Sequence, residues 1–210
     1  RIAETRRFHA TLRRLRFRFI AQPSPRGFGE AVLRAQRTTG KVPFFLHAGD
    51  GVILGGRAGE ILSAMGRLRA RERLDGVLLV RRVADPRRYG VIEGVARPPF
   101  EGMRRLEVRS MVEKPERPPS HWAATAVYAF APSLFEALAT VRRRRRPAEL
   151  EVTDGIRQLL DQGGRVQALV LDRKFGEWRS VGSPDGFLRA LARSHRIVRA
   201  ERHHGPVAPR

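Results

Sequence analysis

Gln22 opens the segment Gln-Pro-Ser-Pro-Arg-Gly-Phe-Gly-Glu-Ala, and the chain then reaches the apolar run Pro43-Phe44-Phe45-Leu46 and the pair Gly49-Asp50. A side-chain amide, a bend built on Pro25 and Gly27, and a helix start precede a strand that delivers one carboxylate. Those are the parts that hold a nucleobase beside a metal-bound phosphate: an amide to read a base edge, glycine for close backbone approach, and a hard oxygen ligand for a cation. Two more groups able to do chemistry follow, Glu113-Lys114 at the end of a strand pattern and a polar stretch after Trp178. The six histidines show no ligand spacing with carboxylates, and with no cysteine the chain has neither disulfides nor thiolate metal sites.

The elements that must position these groups alternate between helical and strand periods. Helices are predicted over 1–14, 30–36 and 59–73, the last with Ile61, Leu62, Met65 and Leu68 on one stripe. Strands are predicted over 17–20, 42–46, 76–80, 89–93, 106–113, 124–130 and 166–171. Further helices are predicted over 132–141, over 154–160 with Thr153 as cap, and from the Ser183-Pro184 start to about residue 198. The run Gly76-Val77-Leu78-Leu79-Val80 is apolar throughout, as in strands buried on both faces. Alternating strands and helices imply a three-layer α/β domain with a mostly parallel sheet covered on both faces. In such folds ligands lie beyond the carboxyl ends of strands, where Asp50, Glu113 and the stretch after Trp178 fall.

The 210 residues suit one α/β domain, taken as 1–198, followed by a polar, basic tail at 199–210 expected to be flexible. No apolar run approaches the ~20 residues of a membrane span and no signal-peptide pattern opens the chain, so a cytoplasmic location without membrane contact is expected. The net charge of +21, from 42 Lys+Arg against 21 Asp+Glu, attracts polyanions such as nucleoside triphosphates or nucleic acid. The arginines are spread along the chain without interleaved aromatic residues, which argues against a dedicated nucleic-acid surface. The run 142–146 reads as a solvated helix end favoured by the helix dipole.

Taken in order, these segments resemble the sugar-1-phosphate nucleotidylyltransferases, the glucose-1-phosphate uridylyl- and thymidylyltransferase family of NDP-sugar pyrophosphorylases. Gln22, Pro25, Gly27 and Ala31 match the family's glutamine and helix-opening bend, and Gly49-Asp50 its strand ending in Gly-Asp. Residues 85–94 match D-P-x-x-Y-G-V-x-E-G, and Val112-Glu113-Lys114-Pro115 matches V-E-K-P. Tyr128 falls in the A-x-x-G-x-Y-x-F strand, 149–154 resembles G-E-x-x-x-T-D, and 178–184 resembles W-x-D-x-G-x-P. The resemblance implies a Rossmann-like fold of the nucleotide-diphospho-sugar transferase type. It implies transfer of a nucleotidyl group from UTP or dTTP to a sugar 1-phosphate, with glucose 1-phosphate the first choice.

By the same resemblance, Gln22, Pro25, Gly27 and Gly49 would bind the nucleotide, and Asp50 would hold Mg²⁺. Gly90, Glu113, Tyr128 and Glu149 would surround the sugar, and Lys114 would pair with its phosphate. Asp50 and Lys114 are the residues that would serve the reaction itself. The family's second metal ligand corresponds to Ser180, a hydroxyl in place of a carboxylate. Its glycine before Tyr128 corresponds to Ala126, and its glycine before Glu149 to Ala148. The glycine-rich G-x-G-T-R-x-x-P phosphate loop is absent from these residues, so an N-terminally truncated sheet with an exposed edge, compatible with homo-oligomers, is expected. An alternative is a catalytically degenerate or regulatory relative that binds nucleotide or sugar nucleotide; a basic nucleic-acid-binding protein ranks below it. Residues 1–210 alone are expected to show little or no pyrophosphorolysis of UDP-glucose or dTDP-glucose, measured as nucleoside triphosphate formed on adding pyrophosphate.

Overall fold

Alternate residues of the apolar run at 76–80 point into two different cores, and this decides the layering. The computed structural model describes residues 2–56, 58–145 and 148–204. Its first half comprises α1 (Ile2–Arg14), α2 (Phe28–Thr39), β1 (Phe44–His47), β2 (Gly51–Leu54), α3 (Ala58–Arg71), β3 (Gly76–Arg82) and β4 (Gly90–Phe100). The second half comprises β5 (Met103–Glu113), β6 (Trp122–Phe130), α4 (Ser133–Arg145), α5 (Val152–Asp161), β7 (Val166–Val170), β8 (Glu177–Ser180) and α6 (Pro184–His204). Leu78 and Val80 of β3 join Val32 of α2, Leu134 and Leu138 of α4 and Ile156 of α5 in one core. Val77 and Leu79 join Ile61, Met65 and Leu68 of α3 in the other. Helices therefore cover both faces, as the period-two alternation of a strand requires. Each large side chain buried here is worth roughly 1.5–3 kcal/mol over its exposed state.

The expectation of a mostly parallel sheet is overturned. The strands run in the order β1-β6-β3-β7-β5-β4, and β3–β7 is the one parallel pairing among them. The reason lies in the connections: no helix separates β3, β4, β5 and β6, and parallel neighbours need a long crossover while antiparallel ones do not. β4 and β5 form a hairpin through Glu101-Gly102, both at positive φ. β4 also pairs with β6, Val91 opposite Ala123, so β6, β3, β7, β5 and β4 complete a circuit of pairings.

Smaller differences have local causes. Residues 17–20 form no strand; nothing among the described residues pairs with them, and Phe19 is 95% exposed. The strands β2 and β8, with four residues each, carry too little pattern to be seen in the sequence. Glu151, not Thr153, caps α5: its N–H donates to Asp154 Oδ2 at 2.9 Å across the first turn. α6 continues through His204, so 199–204 is helical rather than a loose tail, and 205–210 lie outside the described residues. The arginine run at 142–146 ends α4 as expected up to Arg145; Arg146 is outside the described residues.

One position in β6 is strained. The register of β3 against β6 shifts between Leu78 and Val80, and Ala126 takes up the irregularity at φ +57°. Thr125 turns its hydroxyl onto the Leu79 carbonyl at 2.8 Å, and the Ala126 carbonyl receives the Ala48 N–H at 3.0 Å. A left-handed conformation costs a residue with a Cβ about 1–2 kcal/mol. Ala126→Gly is therefore expected to raise the unfolding free energy by about 1 kcal/mol net of glycine's extra chain entropy, measured by urea denaturation.

Candidate active site

The bulge at Ala126 fixes where β1 ends. With Ala48 bonded to Ala126, the chain turns through Gly49 and Asp50 into β2, and the Asp50 carbonyl receives the Val181 N–H at 2.7 Å. Gly182 packs on Asp50 so tightly that a Cβ there would come within 3.1 Å of the Asp50 Cβ. Two short strands in antiparallel register, Gly51 opposite Ser180 and Ile53 opposite Trp178, hold these loops side by side. They form one wall of a cleft of about 880 Å³.

Along that wall stands a stack of rings and cations. The Trp178 indole lies over Gly51, where a Cβ would approach its Nε1 to 2.7 Å, so only glycine leaves the ring room. The Arg81 guanidinium, near the end of β3, sits 4.7 Å from the Trp178 ring and 5.2 Å from the Tyr89 ring. Its Nη2 donates to the Tyr89 hydroxyl at 3.2 Å, and the two rings meet edge to face at 6.4 Å. Such contacts suit a partly desolvated guanidinium.

Carboxylates line the cleft as well. Glu113, the last residue of β5, accepts a hydrogen bond from the Thr153 hydroxyl at 2.6 Å. Because Glu151 takes the cap, Thr153 lies inside the first turn of α5 and its hydroxyl is spent on Glu113. Burial pushes the Glu151 carboxyl above the usual glutamate range, and the charge of Glu113 pushes it further. Tyr128, on β6, is buried beside the same two carboxylates, and burial first and then Glu113 push its hydroxyl far up, keeping it neutral. Gly90 completes this corner: a Cβ there would sit 2.7 Å from Met111 Cε and 3.2 Å from Glu113 Oε2.

Of the residues singled out in the sequence, Gly49, Asp50, Gly90, Glu113, Tyr128 and Ser180 line this one cleft. Lys114 stands at its rim, 66% exposed, with Nζ 3.8 Å from Glu113 Oε1 and its N–H bonded to the Tyr89 carbonyl at 3.0 Å. Gln22, Pro25, Gly27 and Glu149 are not among the lining residues. Gln22 Nε2 donates to the Gly27 carbonyl at 3.1 Å and to Glu30 Oε2 at 2.7 Å, bracing the start of α2. Gly27, at φ +92°, is needed there because a Cβ would strike the Leu150 carbonyl at 2.4 Å. Glu149 acts at a distance, its charge adding to the shift on Glu151.

Sequence reasoning missed Arg81, Glu151, Arg179 and the direct place of Tyr89, Thr153 and Trp178 in the cleft. Tyr89 and Trp178 did carry a signal, since both lie in segments that matched a pattern. Arg81 carried none, being one of many arginines.

Among the described residues no three His, Cys, Asp or Glu side chains converge as a metal cluster. The donors at the Asp50 end are a single carboxylate and the Ser180 hydroxyl, which receives the Gly182 N–H at 3.5 Å. A lone carboxylate with a neighbouring hydroxyl fits a Mg²⁺ ion that takes its remaining ligands from phosphates and water. When bound, such an ion neutralises phosphate charge and orients the phosphates.

The raised Glu151 carboxyl has a consequence for stability. Its neutral form is the one favoured by folding, so its stabilising contribution is complete below the ordinary glutamate value of 4.5 and is lost as pH rises through the raised value. Glu151→Gln, neutral at every pH, is therefore expected to have the higher Tm at pH 8. That advantage should shrink as the pH falls through the raised value towards 4.5 and be absent below it, as followed by circular dichroism melts across the range.

Residues 2–196 match the family model described as Nucleotidyl transferase. Glucose-1-phosphate thymidylyltransferase of Streptomyces griseus is 31% identical over 169 residues, which cover 80% of this chain and 43% of that protein. UTP–glucose-1-phosphate uridylyltransferase of Mycoplasma pneumoniae is 30% identical over 182 residues, covering 82% of this chain and 57% of that one. Among solved structures, UDP-glucose pyrophosphorylase complexed with UDP-glucose is similar at a TM-score of 0.73 and 26% identity, over 86% of this chain and 66% of that one. The three-layer arrangement is thus the expected nucleotide-diphospho-sugar transferase type, with its sheet pairings as described above. No helix among the described residues is long and apolar enough to cross a membrane. With a family model matched from residue 2 to residue 196, the chain belongs to the nucleotidyl transferase family.

Proposed function

We propose that the cleft holds a sugar nucleotide, and that the protein carrying it transfers a nucleotidyl group from UTP or dTTP to a sugar 1-phosphate, glucose 1-phosphate in the first place. The phosphate oxygen of the sugar 1-phosphate attacks the α-phosphorus of the triphosphate, the bond to the β-phosphate oxygen breaks, and pyrophosphate leaves. Such a reaction needs positioning and charge neutralisation rather than a covalent protein intermediate. The observation that carries the reading is the polarity of the one cleft. Glu113 and Thr153 offer an acceptor and a polar neighbour for sugar hydroxyls, while Asp50, Arg81 and Arg179 line the same cleft with groups suited to a metal ion and phosphates. The matches to named glucose-1-phosphate nucleotidylyltransferases support the same assignment.

In this reading Asp50 and Mg²⁺ serve the phosphates, and Lys114 at the rim meets the sugar phosphate as a point charge. Gln22 would present its carbonyl oxygen to a pyrimidine N3–H, because both amide hydrogens are engaged by Gly27 and Glu30. That acceptor suits uracil and thymine alike. A second reading, binding of sugar nucleotide without turnover, draws on Ser180, which puts a neutral hydroxyl where the family pattern has a carboxylate.

Titration calorimetry with UDP-glucose and dTDP-glucose tests the binding claim: saturable binding of at least one is expected, and binding of neither rejects the assignment. Pyrophosphate release from UTP or dTTP with glucose 1-phosphate separates the two readings. Asp50→Asn is expected to lower Mg²⁺-dependent turnover by on the order of 10²-fold or more, with the circular dichroism spectrum and Tm unchanged. A near-normal rate would remove Asp50 from the metal site.

A further inference from the structure

Three buried N–H donors without a hydrogen-bond partner belong to residues of this one cleft: Arg81 Nε, Trp178 Nε1 and Arg179 Nε. Buried donors are nearly always paired, so a group of orphans around one cavity marks acceptors supplied from outside the chain. Two of the three belong to cations. Arg81 is held by two aromatic rings and a tyrosine hydroxyl, and no carboxylate forms an ion pair with it among the described residues. Arg179 bonds to Glu177, but that carboxylate is shared with Arg193 at 2.7 Å. Burial opposes the Glu177 charge, and the two arginines still hold its pKa below the usual range, so its charge is divided between them.

The other basic cleft also carries unpartnered buried atoms, Arg105 Nε and Gln167 Oε1, but its cations are answered by carboxylates. There Glu72 answers Arg105 at 2.5 Å, and Glu107 answers both Arg97 and Arg109. Nor does the site near Arg81 depend on a loop end or a helix terminus. Arg81 lies within β3 and Trp178 and Arg179 within β8, and the cations Arg88 and Arg189 line the same cleft.

We propose that Arg81 and Arg179, with Trp178 as the aromatic platform beneath Arg81, form a phosphate-binding subsite that holds the diphosphate of the ligand directly, without a metal ion between. A guanidinium braced by aromatic rings is fixed in orientation, so its remaining N–H groups are aimed before the ligand arrives, and guanidinium matches phosphate oxygens in a paired, planar fashion that ammonium does not. The subsite stands beside Ser180, where the family pattern has a metal-binding carboxylate, so cations of the chain take over charge neutralisation at that position. That the anion is the diphosphate of a sugar nucleotide rests on the function proposed above; that the subsite takes a phosphate does not.

The test follows binding of inorganic pyrophosphate and of UDP-glucose in excess EDTA, by tryptophan fluorescence and by calorimetry. The wild-type chain is expected to bind pyrophosphate without divalent metal, with a change in Trp178 emission. Arg81→Met should weaken that binding by at least about tenfold, and Arg81→Lys by a comparable factor, because lysine keeps the charge and loses the fork. Arg143→Met, outside the cleft on α4, should leave it unchanged and controls for the overall positive charge. An equal effect of Arg81→Met and Arg143→Met, or no pyrophosphate binding without metal, overturns the subsite. If full affinity returns in the folded Arg81→Lys protein, a bare charge suffices and the directed geometry is wrong. Pyrophosphate binding through Arg81 that UDP-glucose does not displace leaves the subsite intact and refutes the proposed function. UDP-glucose binding that needs Mg²⁺ and ignores Arg81 does the reverse.

Discussion

The structure depends on β6 running antiparallel between β1 and β3. Its hydrogen bonds hold the strand that leads to Asp50 on one side and the strand that carries Arg81 on the other, and its start also meets β4. Because β1 and β3 both oppose β6, they point the same way and deliver their trailing residues to the same edge of the sheet. The irregularity at Ala126 is where this strand adapts to both neighbours. The backbone strain stored there is small beside the burial of Phe130, Val127 and Ala129 in the cores, so the packing imposes the conformation and the chain tolerates it.

Two layers of helix then set the depth of the cleft. α2, α4 and α5 cover one face, and the close backbone contact of Gly27 and Gly29 with Leu150 and Glu151 ties the start of α2 to the start of α5. Gly29 N–H donates to the Leu150 carbonyl at 2.7 Å, which places the first turn of α5 against the end of β5. Glu151, Thr153 and Glu113 meet there as a consequence. The raised pKa of Glu151 is the electrostatic cost of gathering carboxylates in a half-buried corner, while Arg81, Arg88, Arg179 and Arg189 line the same cleft. A ligand that carries both hydroxyls and phosphates complements that lining.

The site was unevenly legible. Asp50, Glu113, Gly90 and Tyr128 stand at strand ends or in strands that periodicity locates, so their convergence follows once the sheet forms. Gln22 and Gly27 were read as base contacts; in the structure Gln22 braces the start of α2 and Gly27 packs on Leu150 ahead of α5. Thr153 was read as a helix cap, but a glutamate two residues earlier takes that role and frees the hydroxyl for Glu113. Trp178 entered the sequence reading only as part of the 178–184 pattern, whereas in the structure it carries Arg81 on its face. Nothing in the order of residues distinguishes Arg81 from the other arginines, because a cation's role depends on which rings and charges surround it.

By itself the sequence determined the types of the longer elements, the wholly apolar run of β3, the family resemblance and the strand-end carboxylates. All of these depend on local period or on residues close together in the chain. Tertiary structure alone decided the antiparallel pairing of β6, the circuit through β4, the meeting of carboxylates and arginines in one cleft, and the unpaired donors on Arg81, Trp178 and Arg179. Those properties arise from residues far apart in sequence, where strand direction, burial and the placement of neighbouring charges are set by packing rather than by any local pattern.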